Sequence, residues 1–217
     1  MLDLSSAQRI EVGVDEAGRG PLAFDVVSAA VIMPHDIAPD DKMANMIKDS
    51  KKLSPKRRAQ LSDYIKEKAV AYGIGIATVE EIDEHNILNA TYMAMHRALD
   101  QVWARGPHGQ FEHILVDGDR FKPYATIGTR SDTWVMHQTI VDGDNTRLDI
   151  AAASILAKHA HDTMIDELVA AHPDGALWKE RYGFDTNKGY GTAKHMTGIK
   201  TYGITPYHRK SFAPCRI

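Results

Sequence analysis

The sequence predicts an α/β fold in which helices flank a mixed sheet of five strands. Three short segments with the period of a β-strand occur within the first 80 residues. Two more strand-like segments follow, and they are separated from the first three by a long stretch with helical spacing. This order of strands and helices is typical of an α/β domain with a mixed sheet.

The first three predicted strands follow one another closely. Residues 9–15 alternate between apolar and polar side chains, which is the period of a half-buried strand, and a turn follows at residues 18–21. Residues 26–33 predict a more deeply buried strand, and residues 69–78 predict a third. Because the links between them are short, we expect an antiparallel meander.

The later elements alternate between helices and strands. Ser54 and Pro55 are typical of the N-cap and first position of a helix, here predicted over residues 56–68. Further predicted elements are a helix over residues 79–104, strands over 114–116 and 134–141, and a helix over 150–171. We expect residues 1–171 to form the main domain and residues 172–217 to pack on it as short helices and loops, in a single structural unit.

The composition is that of an ordinary globular domain. The chain has 217 residues, of which 43% are apolar and 25% charged. Its single cysteine, Cys215, excludes an intrachain disulfide and a zinc site built from cysteines. The longest apolar runs are too short to span a bilayer, and the N-terminus lacks the pattern of a signal peptide. These features predict a cytoplasmic protein.

The basic residues are concentrated in two runs, although the formal net charge is −3. Residues 48–58 contain six basic side chains and one acid, and residues 186–217 contain six basic side chains, four aromatic ones and no acid. One such run is usually solvated surface. Two runs with interleaved aromatic residues favour a surface that follows a polyanion.

Four acidic residues stand where predicted strands and helices begin or end. Asp15 and Glu16 follow the first strand, Asp117 ends the strand over residues 114–116, and Asp144 precedes the last helix. Carboxylate oxygens are the ligands that Mg²⁺ and Mn²⁺ prefer, and two such ions can support phosphodiester hydrolysis. The spacing therefore predicts a metal-dependent nuclease site.

Other interpretations of these acids remain open. A single Asp at a strand end is more often a turn former or a helix cap than a metal ligand. Asp119, Asp142 and Asp149 lie near the candidates in sequence and are alternatives to them. Ideal strand geometry also sends Asp15 and Glu16 to opposite faces, so both serve one site only if the chain twists there.

Six blocks follow one another between residues 10 and 214. They are Gly13-Val-Asp-Glu-Ala-Gly-Arg-Gly-Pro-Leu-Ala23, Asp49-Ser-Lys-Lys-Leu-Ser54, Val116-Asp-Gly118, Ile150-Ala-Ala-Ala-Ser-Ile-Leu-Ala-Lys158, Asn187-Lys-Gly-Tyr-Gly-Thr192 and His208-Arg-Lys-Ser-Phe212. In this order they resemble the ribonuclease HII family. The resemblance covers nearly the whole chain, and the intact Gly-Arg-Gly turn favours type HII over the sister type HIII.

The resemblance implies a ribonuclease H-like catalytic domain over residues 1–171 with a C-terminal helical extension over 172–217. It also implies catalysis with Mg²⁺ or Mn²⁺, two ions acting together. The implied catalytic residues and metal ligands are Asp15, Glu16, Asp117 and Asp144.

The resemblance further implies how substrate is held. The backbone of Gly18, Arg19 and Gly20 is expected to contact a 2′-hydroxyl, and Tyr190 is expected to stack on the sugar beside the junction. The expected contacts to backbone phosphates are Ser50, Lys51 and Lys52.

The implied activity is endonucleolytic cleavage of the RNA strand of RNA–DNA hybrids and of the 5′ side of ribonucleotides embedded in duplex DNA. The products carry 3′-hydroxyl and 5′-phosphate ends, and the use is ribonucleotide excision during DNA repair and replication. The expected partners are these nucleic acids and no membrane. We expect a monomer, and the C-terminus shows no clamp-binding tail.

Two other functions remain as alternatives. One is a catalytically weak protein of the same fold that only binds hybrids or junctions, and the other is a DNA junction nuclease of the same superfamily. The intact set of acids disfavours the first. The Gly-Arg-Gly turn and Tyr190 disfavour the second, because an enzyme for DNA alone has no 2′-hydroxyl to contact.

Five residues depart from the family pattern. Phe24 and Asp25 replace turn residues near the predicted site, and Asp119 stands where Asn is usual. His159 and His161 replace an aliphatic residue and an Arg. We expect Asp25 to lie at the surface or beside the acidic cluster, His159 at the edge of the core and His161 at the surface.

Overall fold

A computed structural model of the protein describes residues 10–38, 40–48, 50, 53–105, 111–126 and 133–216. The described strands are β1 (Glu11–Ala17), β2 (Val26–Ile32), β3 (Ala71–Ala77), β4 (His113–Asp117), β5 (Ala125–Thr126), β6 (Thr133–Trp134) and β7 (Met136–Ile140). The described helices are α1 (Pro55–Lys68), α2 (Val79–Arg105), α3 (Leu148–Ala171), α4 (Gly175–Tyr182), α5 (Phe184–Asn187) and α6 (Ala193–Tyr202). Within these ranges, no helix combines the length and apolar character that crossing a membrane requires.

The main sheet is mixed and has five strands, as the sequence predicts. Its order is β3-β2-β1-β4-β7, with β1 at the centre. The first three strands form the expected antiparallel meander, whereas β4 pairs in parallel with β1 and with β7. Val14 of β1 pairs with Val116 of β4, so the next residues, Asp15 and Asp117, lie at the same edge of the sheet.

Helices cover both faces of the sheet, and their backbones approach the strands very closely. On one face, Val14 packs with Leu99 of α2, and on the other, Val31 packs with Ile155 of α3. A Cβ atom on Gly75 would lie 2.0 Å from the Ala94 carbonyl oxygen, and one on Gly13 would lie 2.2 Å from the Asp149 carbonyl carbon. Glycine is therefore required where each helix backbone touches the sheet.

The N-terminus of α1 confirms the predicted cap. Ser54 is the N-cap residue, its hydroxyl oxygen accepts a hydrogen bond from the Arg57 backbone N–H, and Pro55 is the first helical residue. Proline suits this position because its missing N–H has no partner to lose there.

The residues after α3 pack against the loop that follows β1. Phe184 of α5 is fully buried in an apolar cluster with Trp178 of α4, Ile165 of α3 and Phe24 of that loop. The Phe24 and Phe184 rings meet edge to face at 4.7 Å between centroids. The C-terminal segment thus fixes the loop that carries the Gly-Arg-Gly turn.

The prediction of a single strand over residues 134–141 is wrong. Trp134 pairs with Ala125 in the small β5–β6 sheet, whereas Met136 pairs with His113 in the main sheet. Between them, the Val135 N–H bonds to the carbonyl oxygen of Tyr124. Residues 134–141 contain no Gly, Pro, Asn or Asp, so the sequence does not mark the point at which the chain changes its partner strand.

Candidate active site

Asp15 is one of the two buried side chains among the four predicted acids. It lies on β1 with only 6% of its surface exposed and faces α3, where the Ser154 side chain hydrogen-bonds to its carboxylate. Its Oδ1 also accepts the Glu16 backbone N–H at 2.7 Å. Burial is the main cause of a pKa raised well above the ordinary value, and the nearby Glu16 and Asp117 carboxylates add to it.

Glu16 points to the opposite face of the sheet, towards α2, as strand geometry predicts. Its carboxylate forms an ion pair with Arg19 at 3.0 Å. Glu16 and Asp117 line a cavity of about 350 Å³ together with Tyr92 and Met95 of α2. Asp15 and Glu16 therefore leave β1 on opposite faces, although both also line the cavity beside the Gly-Arg-Gly turn.

Asp117 and Asp144 are linked through the turn before α3. The Gly143 backbone N–H donates to Asp117 Oδ1 at 2.8 Å, and Asp144, 6% exposed, is the next residue. Asp144 Oδ1 accepts the Asn145 side-chain N–H at 2.9 Å. The structure therefore brings Asp144 beside Asp117, and Asp117 beside Asp15.

The alternative acids lie elsewhere or have other partners. Asp149 Oδ1 accepts the Met33 backbone N–H at 2.7 Å. Asp142 is exposed, and the Asp119 side chain is 76% exposed beside Arg120. Their placement favours the set Asp15, Glu16, Asp117 and Asp144.

The chemistry of these donors fits a hard divalent cation, but the side chains are not assembled as a chelate. In the described part of the chain, no three His, Cys, Asp or Glu side chains are placed to hold a metal ion as they stand. Glu16 faces Arg19, and Asp15 lies on the other face of β1. Burial and, after it, repulsion from Glu16 and Asp117 raise the pKa of Asp15, and a bound cation relieves such repulsion.

The Gly-Arg-Gly turn directly follows β1 and is held by a buried arginine. Gly18 has a φ of +92°, which side chains with L configuration rarely adopt. Arg209 is fully buried, and its Nη2 donates to the Gly18 carbonyl at 2.6 Å while its Nη1 donates to the Arg19 carbonyl at 3.0 Å. The same guanidinium also bonds to the carbonyls of Pro21, Phe24 and Asp25.

Tyr190 lies directly over this turn. A Cβ atom on Gly20 would be 3.1 Å from Tyr190 Cε1. Tyr190 is 43% exposed, and the Lys158 ammonium lies 5.9 Å from its ring centroid. The structure therefore brings the predicted turn, Gly18 to Gly20, and the predicted stacking residue together.

Ser50 is the described part of the predicted phosphate-binding segment, and Lys51 and Lys52 lie outside the described residues. Ser50 is 2% exposed, and its hydroxyl lies 2.9 Å from the Ser154 hydroxyl, which in turn reaches Asp15. A cavity of about 410 Å³ lies between the acids, the turn and this segment. The residues that line it include Asp15, Glu16, Gly18, Arg19, Gly20, Ser50, Arg58, Ser154, Lys158 and Tyr190.

The sequence does not show the roles of four residues around the site. Ser154 and Lys158 belong to the block over residues 150–158, but its helical spacing does not show which side chains face the cavity. Arg58 lies in the first basic run, yet it is 7% exposed and pairs with Asp162 at 2.9 Å. Arg209 lies in the second basic run and is fully buried.

The residues near the site that depart from the family pattern have different environments. Phe24 adopts a left-handed φ of +75° with its ring in the apolar cluster. Asp25 does not join the acidic cluster, because its Oδ1 accepts the Val79 N–H at the start of α2. His159 is half-buried, as expected.

The surface prediction for His161 is wrong. The side chain is fully buried, because the turn after β1 covers this part of α3: a Cβ atom on Gly18 would lie 2.5 Å from His161 Cδ2.

Comparisons with known sequences show the family of this chain. The sequence model described as ribonuclease HII matches residues 12–215. The ribonuclease HII of Parabacteroides distasonis is 45% identical over 212 residues, which cover 98% of this chain and 94% of that protein.

Two solved structures share the fold. The ribonuclease H2 of Pyrococcus horikoshii OT3 has a TM-score of 0.69 at 24% identity and covers 95% of both chains. Bst-RNase HIII in complex with Mn²⁺ has a TM-score of 0.68 at 17% identity, covering 96% of this chain and 68% of that one. These similarities confirm the ribonuclease H-like fold. The family match and the 45% identical relative show that the chain belongs to the ribonuclease HII family, whose members are metal-dependent endoribonucleases.

Proposed function

We propose that the protein cleaves the RNA strand of RNA–DNA hybrids and nicks duplex DNA on the 5′ side of embedded ribonucleotides, leaving 3′-hydroxyl and 5′-phosphate ends. Ribonuclease H activity on hybrids is what membership of the family supports. The observation that carries the finer proposal is the contact between Tyr190 and the Gly-Arg-Gly turn, directly beside Asp15 and Glu16.

Asp15, Glu16, Asp117 and Asp144 are the residues proposed to hold Mg²⁺ or Mn²⁺. When bound, two such ions supply activation of a water and stabilisation of the leaving 3′-oxygen. Glu16 must then exchange its ion pair with Arg19 for the cation. Ser154 holds the Asp15 carboxylate in place, and the Gly143 N–H holds that of Asp117.

The turn and Tyr190 supply the proposed selection for ribonucleotides. The backbone of Gly18, Arg19 and Gly20 lies at the cavity wall without bulky side chains at its two glycines, so that a sugar approaches closely. Tyr190 offers an exposed aromatic face over Gly20 on which the sugar beside the junction stacks. A 2′-hydroxyl is what distinguishes a ribonucleotide from its deoxy neighbours.

Basic residues around the same cavity are proposed to hold the phosphate backbone. Lys158 and Arg58 line the cavity, and both pair with Asp162, which fixes their positions. Ser50 lines the same cavity, and Lys51 and Lys52 follow it in the sequence. The positive charges of the lysines and of Arg58 stabilise a polyanion without reading its sequence.

Cleavage of three matched substrates by the unmodified protein tests the proposal. They are a long RNA–DNA hybrid, a DNA duplex with one ribonucleotide and an all-DNA four-way junction, each with Mg²⁺, Mn²⁺ or EDTA. The proposal predicts metal-dependent cleavage of the first two and none of the third. Binding without cleavage would favour a binding-only protein, and cleavage of the junction would favour a DNA nuclease.

A further inference from the structure

Two buried histidines lie behind Tyr190. His195 of α6 and His208 of the following segment are both fully buried, and their Nε2 atoms lie 3.0 Å apart. Rings of Tyr182 and Phe184 pack edge-on around them. Because a hydrogen bond needs one donor and one acceptor, one of the two Nε2 atoms carries a proton and the other does not.

Backbone groups determine the direction of this hydrogen bond. The Thr205 backbone N–H, which only donates, bonds to His208 Nδ1 at 2.9 Å, so that nitrogen is unprotonated. The Thr205 hydroxyl lies 2.9 Å from the same nitrogen and therefore donates to it as well, while its oxygen accepts the Tyr207 N–H. Neutral His208 therefore carries its proton on Nε2 and donates it to His195 Nε2. His195 in turn carries its proton on Nδ1 and donates to the Tyr190 carbonyl oxygen at 3.0 Å.

Burial keeps both rings neutral. It lowers the pKa of His195 from its ordinary value and is the main reason that the pKa of His208 falls to about 4. At neutral pH, each ring therefore has one donor and one acceptor. The chain of hydrogen bonds runs in one direction, from Thr205 through His208 and His195 to Tyr190.

The chain of hydrogen bonds ends at Tyr190, next to two residues with left-handed backbone conformations. Lys188 and Gly189 both have left-handed φ values, of 49° and 82°. The Tyr190 carbonyl oxygen accepts the Thr192 N–H at 2.8 Å as well as His195 Nδ1. These two bonds orient the peptide group that carries the ring lying over Gly20.

We propose that His195 and His208 are positioning residues for cleavage at ribonucleotides, because their one-directional hydrogen bonds hold Tyr190 over the Gly-Arg-Gly turn. This inference rests on the proposed function of Tyr190 as the residue that stacks on the sugar. Neither histidine lines the cavity beside the acids, so both act through Tyr190.

Two substitutions of His195 distinguish the loss of its hydrogen bond to Tyr190 from the loss of its packing. The side-chain N–H of His195→Asn reaches as far as Nδ1 and keeps a donor for Tyr190. The amide of His195→Gln reaches as far as Nε2 and loses that donor. On a duplex with one ribonucleotide, we expect Gln to lower kcat/KM about fivefold to tenfold, the effect of one hydrogen bond, and Asn to lower it much less.

The same two substitutions of His195 are then compared in protein that also carries Tyr190→Ala. Without the ring, Gln and Asn should give equal kcat/KM values, because a shared pathway makes the effects non-additive. His172→Gln, in the same C-terminal segment but stacked on Trp178, serves as the control and should change kcat/KM less than twofold. Equal losses for Gln and Asn, or losses that persist without Tyr190, would overturn the proposal.

An NMR measurement on the unmodified protein tests the hydrogen-bond chain without an activity assay. Imidazole ¹⁵N chemical shifts at neutral pH should show the proton on Nε2 of His208 and on Nδ1 of His195. The reverse assignment would overturn the inference. Inactive protein with the expected tautomers would instead show that the hydrogen-bond chain exists and that the proposed function has failed.

Discussion

The guanidinium of Arg209 donates a 2.6 Å hydrogen bond to the carbonyl oxygen of Gly18, across 191 residues of sequence. Its other donors all bond to backbone carbonyls between Arg19 and Asp25. One buried side chain of the C-terminal segment thus fixes the shape of the turn beside the acids. The neighbouring His208 supports Tyr190 on the other side of that turn.

Arg209→Lys should destabilise the protein strongly although it keeps a positive charge. Lysine has three donors at one point instead of a planar fork, so several buried carbonyls lose their partner. We expect a loss of about 2–4 kcal/mol in the free energy of unfolding, measured with urea. Arg216→Lys is the control, because Arg216 bonds only to the Ser211 carbonyl in an exposed position and should cost less than about 0.5 kcal/mol. Similar losses for both variants would contradict this account of the turn.

Asp15→Asn should stabilise the metal-free protein while abolishing cleavage. The pKa of Asp15 is raised, so the charged carboxylate is disfavoured at neutral pH, and the amide keeps an oxygen for the Glu16 N–H. We expect a gain of about 1 kcal/mol, or about 2–4 °C in Tm, which shrinks when Mg²⁺ is added.

Asp162→Asn should change the stability in the opposite direction. Burial alone would raise its pKa, but hydrogen bonds from His161 and Lys158 lower it to about 2, so neutralising Asp162 should lower Tm. A loss of stability in both variants would show that burial and repulsion do not disfavour the charged form of Asp15.

Gly18→Ala should cost more than Gly203→Ala, although both glycines have positive φ values. A Cβ atom on Gly18 would lie 2.5 Å from His161, whereas one on Gly203 meets nothing within 4 Å. We expect about 1–3 kcal/mol for Gly203→Ala from backbone strain alone, because its φ of 79° and ψ of −161° are almost exclusive to glycine, and about 2 kcal/mol more for Gly18→Ala from the contact with His161. Adding His161→Ala should recover part of the difference, and equal costs at the two glycines would contradict the contact.

Stability should fall as the pH falls from about 6.5 to 4, and His208 should contribute to that slope. Its pKa drops from 6.5 in the unfolded chain to about 4, so the unfolded state binds more protons throughout this window. The contribution is fully present above pH 6.5 and amounts to at most about 3 kcal/mol. Urea unfolding between pH 4 and 7 should show a shallower slope for His208→Gln than for the unmodified protein; identical slopes would show that His208 does not titrate differently on folding.

Local patterns in the sequence predict much of the fold. Ser54 and Pro55 determine where α1 begins, and the alternation in β1 places Asp15 and Glu16 on opposite faces. Residues 134–141 show the limit of such patterns, because periodicity does not reveal that the chain leaves one sheet for another at Val135. The cytoplasmic location, the monomeric state and the division at residue 171 stay predictions.

The candidate acids were predictable, but the residues that support the turn and Tyr190 were not. Arg209, His195 and His161 are polar residues in segments that resemble exposed surface, yet all three are fully buried. Arg209 bonds to carbonyls at the other end of the chain, His161 packs against Gly18, and His195 bonds to the Tyr190 carbonyl and to His208. No local pattern encodes such contacts. Only the assembled fold shows that these side chains lie inside.

The most direct test of the central claim is the position of the cut in an end-labelled DNA duplex with one ribonucleotide, made by the unmodified protein and by Asp117→Asn. The variant keeps an oxygen for the Gly143 N–H and removes only the charge. Asp119→Asn, exposed and two residues away, is the matched control. We predict a Mg²⁺- or Mn²⁺-dependent cut 5′ to the ribonucleotide that persists in Asp119→Asn and is lost in Asp117→Asn. Full cleavage by Asp117→Asn, or a cut at another position, would contradict the account.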